Sequence, residues 1–400
     1  MKTGTPGFVG ARLGELRETL GLSKLALSDL IDVSRQSLGA WEKGESSPTP
    51  DMFRRLCDQL SMPPQYFLRE VPAPEASPTF FRVASTATKG ARVRAKRMTR
   101  WLHELTAHLS EYVELPEVDL PVGLVPSNPL ALESGEIEAI ADGVRAAWGL
   151  GDGPISNVVW LMERHGIIVA RMSLDAPKLD GLSCWLDGRP YVVLNADVSA
   201  ARSRFDAAHE LAHVLLHRHL EQRIVNDPTM FAAIERQAHR FAAAFSFPAA
   251  AFAREAQPIT LDRFIGLKER WRLSAKMMLH RAHDLHLVDD VRRVSLHRTY
   301  SARKWNSGEP LDAVQQPDRP RLLSKTIETL LDGGTQSEDE LLYGAPFNAQ
   351  NLARLSGLSK ARFSGNVATV HEFQPQLRLL QDLPPSAGVV VPFPTRVHRD

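Results

Sequence analysis

Apolar positions recur at helical spacing through the first 70 residues. Leu13, Leu16, Leu20 and Leu22 mark one short segment, and Leu25, Leu27, Leu30 and Ile31 a second. Leu38 and Trp41 mark a third, Met52, Phe53, Leu56 and Leu60 a fourth, and Tyr66 with Phe67 a fifth. Ser23 and Ser34 stand where the second and third helices need N-caps, and Gly44 where the third should stop. The proline-rich run 71–78 interrupts the pattern and reads as a semi-extended spacer. Helical spacing resumes over 92–113, with Met98, Trp101, Leu102, Leu105, Leu109 and Val113 on one side. After a proline-punctuated loop it returns at 134–148 and 155–165. The period then changes. Residues 167–174, 181–186 and 190–195 read as three strands, the last two joined by an Asp187-Gly188 turn. Helical patterns follow at 203–217, 230–247, 260–288, 321–332 and 349–356, with a strand candidate at 389–391.

The expected fold is therefore multidomain and mainly α, with one α+β part. Five helices fill 1–70, a spacer 71–79 and a helical connector 80–130. A helix-plus-small-sheet domain fills 131–295, and a mostly helical region of unknown role 296–400. Composition is ordinary for a globular chain, with 43% hydrophobic and 24% charged residues. The net charge of +1 hides a local asymmetry: seven Lys or Arg and no acid between Arg82 and Arg100, then nine Asp or Glu and no Lys or Arg from Glu104 to Asp142. That basic run either lies along phosphates or forms the solvated face of a packing or dimerisation helix. The 2 cysteines, Cys57 and Cys184, argue against a disulfide framework or a cysteine metal site and for a reducing compartment. With no signal-like or membrane-spanning run, the expected location is the cytoplasm.

Residues 203–217 carry the candidate chemistry. At 100° per residue His209 and His213 lie about 40° apart, one turn above each other, so both imidazoles reach one metal ion. Glu210 falls beside that ion, placed to take a proton from an attacking water and hand it to a leaving amine. Phe205, Ala208, Ala212, Leu215 and Leu216 occupy the opposite side, so the helix has a core face and a chemical face. A catalytic zinc needs a third protein ligand and an open position, and the candidates downstream are His217, Glu221, Asp227, Glu235 and His239. Glu235 is favoured: Ala238 and Ala242, at i+3 and i+7, let its helix approach closely, whereas His217 has drifted about 80° around its own. An edge strand of the neighbouring sheet can align an extended polypeptide by main-chain pairing. His280, His283 and His286, also spaced along a helix, read as a solvated face.

The first segment resembles the helix-turn-helix of phage-repressor-like (XRE-type) regulators. The resemblance lies in Leu22-Ser23-Lys24, Val33 to Leu38, Trp41 to Gly44 and Pro48-Thr49-Pro50. It implies a five-helix lambda-repressor-like fold whose third helix enters the major groove of double-stranded DNA. Arg35 and Gln36 then face bases, as a guanine and an adenine reader respectively, while Lys24, Ser34 and Lys43 hold phosphates. One copy reads one half-site, so a homodimer is expected. Lys24, where this family usually has Gln, and Gly39 inside the reading helix bear on which sequence is read.

Arg202 to Phe205, His209 to His213, His217 and Glu235 to Ala243 resemble the ImmA/IrrE metallopeptidase family, over roughly 130–290. The resemblance implies a zincin-like fold, zinc on His209, His213 and Glu235, and Glu210 as general base. It also implies a substrate among helix-turn-helix repressors. His239 stands where the family usually has Asn, and can assist, replace or orient Glu235. With a DNA reader and a peptidase in one chain, the cut can fall in another repressor or in the chain itself, at the 71–78 spacer. The alternative is a ligand- or partner-responsive transcription factor, serving a mobile-element or defence module, whose peptidase fold does not cut.

Overall fold

The computed structural model describes residues 4–73, 75–83, 88–174 and 179–363, so the strand candidate at 389–391 lies outside the described residues. Five helices open the chain: α1 (Gly10–Thr19), α2 (Lys24–Leu30), α3 (Arg35–Glu42), α4 (Pro50–Leu60) and α5 (Pro64–Leu68). Their boundaries follow local chemistry. The Ser23 hydroxyl accepts from the Ala26 N–H and Ser34 from the Ser37 N–H, satisfying donors that a helix start leaves free, and Gly44 takes φ +73° after α3. Leu13, Leu16, Leu27, Leu38 and Tyr66 meet in the core beneath them.

Residues 75–77 of the spacer pair with the sheet. The Ser77 N–H donates to Trp185 O, and Asp187 N–H to Glu75 O. The chain continues into β1 (Phe80–Val83), where a helical connector is expected; an extended chain beside an open sheet edge satisfies its backbone by pairing with it. α6 (Lys89–Ser110) follows. It buries Ala95, Met98, Trp101, Leu102, Leu105 and Leu109 in the same core as the first five helices, one face of the sheet and residues beyond 322. Arg12 is fully buried at this junction and donates to both Glu104 carboxylate oxygens at 2.9 and 2.7 Å and to the carbonyls of Arg69 and Glu70. The expected segment boundaries are thus crossed by continuous packing.

Next come α7 (Ser134–Ala147), α8 (Val158–Arg164), β2 (Ile168–Met172), β3 (Leu179–Leu186) and β4 (Arg189–Asn195). The sheet order is β1-β3-β4-β2, with β2 and β4 parallel and the other pairs antiparallel. Asp187 and Gly188 both have positive φ, the requirement of a tight turn whose twist matches its strands. Side chains alternate between two buried faces. Ile168, Ala170, Tyr191 and Val193 join the core with α6, while Val169, Val192 and Leu194 join a second core with α7, α9 (Ala200–Leu216) and α11 (Pro228–Ser246). Between the last two lies α10 (Gln222–Asn226).

α12 (Ala249–Glu255), α13 (Leu261–Trp271), α14 (Ala275–Asp284) and α15 (Asp290–Ala302) build a third core around Phe247, Phe252, Phe264 and Trp271. α16 (Leu322–Asp332), α17 (Glu338–Gly344) and α18 (Ala349–Ser356) return to the first core through Leu323, Ile327, Leu341 and Leu352. The fold is mainly helical around one small sheet, as the hydrophobic periodicity indicates. Among the described residues no helix is long and apolar enough to cross a membrane.

Candidate metal centre and DNA-facing helix

α9 is held between the sheet on one side and α11 on the other, so its polar side chains have no solvent to fall back on. His209, Glu210, His213 and His217 are each at most 1% exposed. Polar groups buried to that degree need partners, and α9 finds them on three neighbouring elements.

On α11, Glu235 comes to the two imidazoles that share the α9 face. His209 Nε2 and His213 Nε2 are 3.1 Å apart, His213 Nε2 and Glu235 Oε1 3.2 Å, and His209 Nε2 and Glu235 Oε2 3.4 Å. Bonds of about 2.0–2.1 Å at tetrahedral angles place donor atoms about 3.3 Å apart, the spacing between the two imidazole nitrogens and between each nitrogen and the Glu235 oxygen nearest it. Among the described residues His209, His213 and Glu235 form the one group of three or more His, Cys, Asp or Glu able to hold a metal ion.

A relay of hydrogen bonds aims His213. Gln237 Nε2 faces the carbonyls of Pro129 and Leu132, which can only accept, so the Gln237 oxygen must accept from His217 Nε2 at 3.1 Å. His217 Nδ1 is then the acceptor for the proton on His213 Nδ1, 3.0 Å away. This leaves the lone pair of His213 Nε2 directed at Glu235 and His209. Burial and the neighbouring His213 push His217 down to about 3, so it stays neutral as this relay requires. Helical geometry brings out His217 only as a poorly aimed ligand candidate and does not bring out Gln237. The signal was the second i+4 step from His213, which reaches the ring's far nitrogen rather than the metal. Phe80, from β1, stacks on the His213 ring at 4.8 Å with 7° between planes.

Glu210 turns to β3 instead. Ser183 Oγ donates to its Oε2 at 2.6 Å, and Gly181 leaves room for the same carboxylate, because a Cβ there would lie 3.1 Å from Oε1. His239 does not join the three donors. Its exposed ring meets the His209 ring at 4.8 Å and 72° and Phe205 at 5.6 Å, at the wall of a cavity of about 930 Å³. Glu221 and Asp227 are also apart from the cluster, Asp227 being spent on capping α11. His283 pairs with Asp290 and His280 lies against His297, so the histidines of α14 do not converge.

In the N-terminal helices the residues expected to meet DNA are exposed. Arg35 and Gln36 form the first turn of α3, and Ser34 caps it. Lys24 Nζ is 3.1 Å from Glu42, which also takes Arg17, and Lys43 is 3.3 Å from Glu45. Both lysines are thus paired with a carboxylate in this structure.

Residues 13–67 match the family described as Helix-turn-helix, and residues 162–283 match the IrrE N-terminal-like domain. No curated protein matches the chain. The chain is thus similar to XRE-type helix-turn-helix regulators over residues 13–67 and to IrrE/ImmA-like peptidase domains over residues 162–283.

Proposed function

We propose that this chain is a DNA-bound zinc endopeptidase regulator, which hydrolyses a peptide bond in a repressor-type protein or in itself and so relieves repression. The observation that supports it most is the convergence of three donor side chains, His209, His213 and Glu235, with nearest ligand atoms 3.1–3.4 Å apart, beside the buried acid Glu210. Bound by His209, His213 and Glu235, zinc would supply Lewis acidity that polarises a scissile carbonyl and acidifies an attacking water. The chain's own residues do the rest. The Glu210 carboxylate, held by the Ser183 hydroxyl, accepts the water proton and returns it to the leaving amine nitrogen. The His217–Gln237 relay keeps His213 in one tautomer, and β3, whose outer edge residues 75–83 now hold, would offer main-chain groups to an extended substrate that displaced them. Arg35 and Gln36 read the operator, Ser34, Lys24 and Lys43 contact its phosphates, and two copies meet its half-sites.

The test is the Glu210→Gln chain, which keeps every proposed metal ligand. Product mapping after incubation with operator DNA and candidate repressors should yield fragments with the parent chain and none with E210Q. Unchanged regulation in cells carrying E210Q would remove proteolysis from the mechanism. The 930 Å³ cavity beside His239, bordered by Arg202, Arg236, Lys276, Tyr300 and Glu309, supports a second reading, a ligand-responsive regulator that does not cut.

A further inference from the structure

The strand nearest the proposed general base is β3, since Ser183 and Gly181 both lie against Glu210. One of its edges pairs with β4, and the other is taken by the chain's own residues 75–83. Phe80 stands opposite Ser183 and Arg82 opposite Gly181. The pairing runs on through an Ala76–Leu186 bridge, Ser77 N–H to Trp185 O, Trp185 N–H to Ser77 Oγ, and Asp187 N–H to Glu75 O. Any other polypeptide that adds to this edge must displace them.

Alternation along an extended strand sends Phe80 and Phe81 to opposite faces. Phe81 lies under the Lys96 ammonium, away from the site. Phe80 enters a small apolar pocket, 2% exposed, with Leu220 and Ile234 and flanked by Leu130, Ile224 and Val225. Ile234 precedes a donor carboxylate and Leu220 follows His217 by one turn, so the pocket is built from the same stretch of chain as the metal face. β1 also lies outside the residues matched by the peptidase family, 162–283, which hold β2, β3 and β4 between them. The strand arrives from the DNA-binding end, and it is short, with an irregular register between Arg82 and Val83.

We propose that the pocket beside His213 is the specificity site for a large apolar side chain of an extended polypeptide, occupied in the resting chain by Phe80 while residues 75–83 hold the β3 edge. This rests on the peptidase reading above and adds to it a substrate class and a built-in competitor. Release of residues 75–83 opens the site, so whatever strains the join between the DNA-binding helices and β1 governs access.

The test uses the full E210Q chain, so that nothing is cut, and a fluorescein-labelled peptide of residues 75–83, followed by anisotropy. Where the resident strand blocks most molecules, the apparent affinity falls by the open fraction. Phe80→Ala should therefore bind the peptide about tenfold or more tighter than the parent, and the peptide with Ala in place of its first Phe should lose that gain. Ser77→Pro, which removes two pairing groups at the far end without touching the pocket, should give the same gain if Phe80→Ala fails to fold, as judged by melting and operator binding. Equal peptide affinity for the parent and the folded variants, or indifference to the peptide's Phe, overturns the proposal. The two readings fail separately: a chain that binds the peptide as described but cuts nothing refutes the peptidase reading alone. A chain that cuts but binds the peptide without regard to Phe80 refutes this one.

Discussion

The reading turn of α3 and the donor face of α9 meet opposite demands. Arg35 and Gln36 stand in solvent, where a polar side chain costs nothing to hold, and the partner proposed for them is DNA. His209, Glu210 and His213 are sealed between a sheet and a helix, where each must be satisfied by the chain itself, through Glu235, Ser183, His217 and Gln237. The exposed region is therefore tolerant, and its substitutions should change binding without changing the fold. The sealed region is a network, and its substitutions should propagate.

The largest expected effect isolates chemistry from binding. Glu210→Gln should lower peptide-bond cleavage by about 10²–10⁴-fold, the usual contribution of general acid–base catalysis, with zinc content and operator affinity as in the parent. Nearly as large, and purely structural, is Arg12→Ala. It leaves Glu15 and Glu104 without their buried cation at the junction of the DNA-binding helices with α6. Breaking a buried pair this way costs about 3–5 kcal/mol, measurable in chemical denaturation. If stability is unchanged, the two parts are not docked through Arg12.

On the exposed side, Arg35→Ala and Gln36→Ala should each weaken specific operator binding by about 1–3 kcal/mol in a titration at fixed salt, with melting unchanged. On the sealed side, Gln237→Leu removes the end of the relay that orients His213. Zinc affinity in a competition titration should fall about 10–100-fold while operator affinity holds. Operator binding that falls in step with zinc would erase the distinction between the regions.

The smallest expected effect is a pH slope. Glu163 accepts the N–H groups of Arg321 and Leu322, yet burial lifts it from 4.5 to about 7. The folded chain then holds a proton between those values that the unfolded chain has lost, so this group's contribution to stability falls as pH rises through that window. Glu163→Gln should flatten the slope of melting temperature against pH.

These contrasts also explain what the sequence made legible. The Leu and Trp spacing of the first helices, the caps at Ser23 and Ser34 and the Asp187-Gly188 turn are local signals, and the elements lie where those signals put them. The three strands were readable for a different reason: both faces of the sheet are buried, leaving continuous apolar runs. β1 was not legible, because Phe80-Phe81 carries no period of its own and becomes a strand only beside β3, about 100 residues later. Still longer separations along the chain hid the pocket around Phe80 and the packing of α16 and α18 against α6. In the candidate site, the i, i+4 step brought out His209 and His213, and small residues on α11 pointed to Glu235. Ser183 and Gln237 are ordinary polar residues in sequence, and only their burial against Glu210 and His217 distinguishes them.

The central claim is that His209, His213 and Glu235 form one metal face and that His239 stands beside it. Zinc stoichiometry of the purified full chain tests it most directly, measured after exhaustive dialysis for the parent, Glu235→Ala and His239→Ala. The expected result is about one zinc per chain for the parent and for H239A, and almost none for E235A. Zinc retained by E235A but lost by H239A, or a parent chain that holds none, would contradict the account.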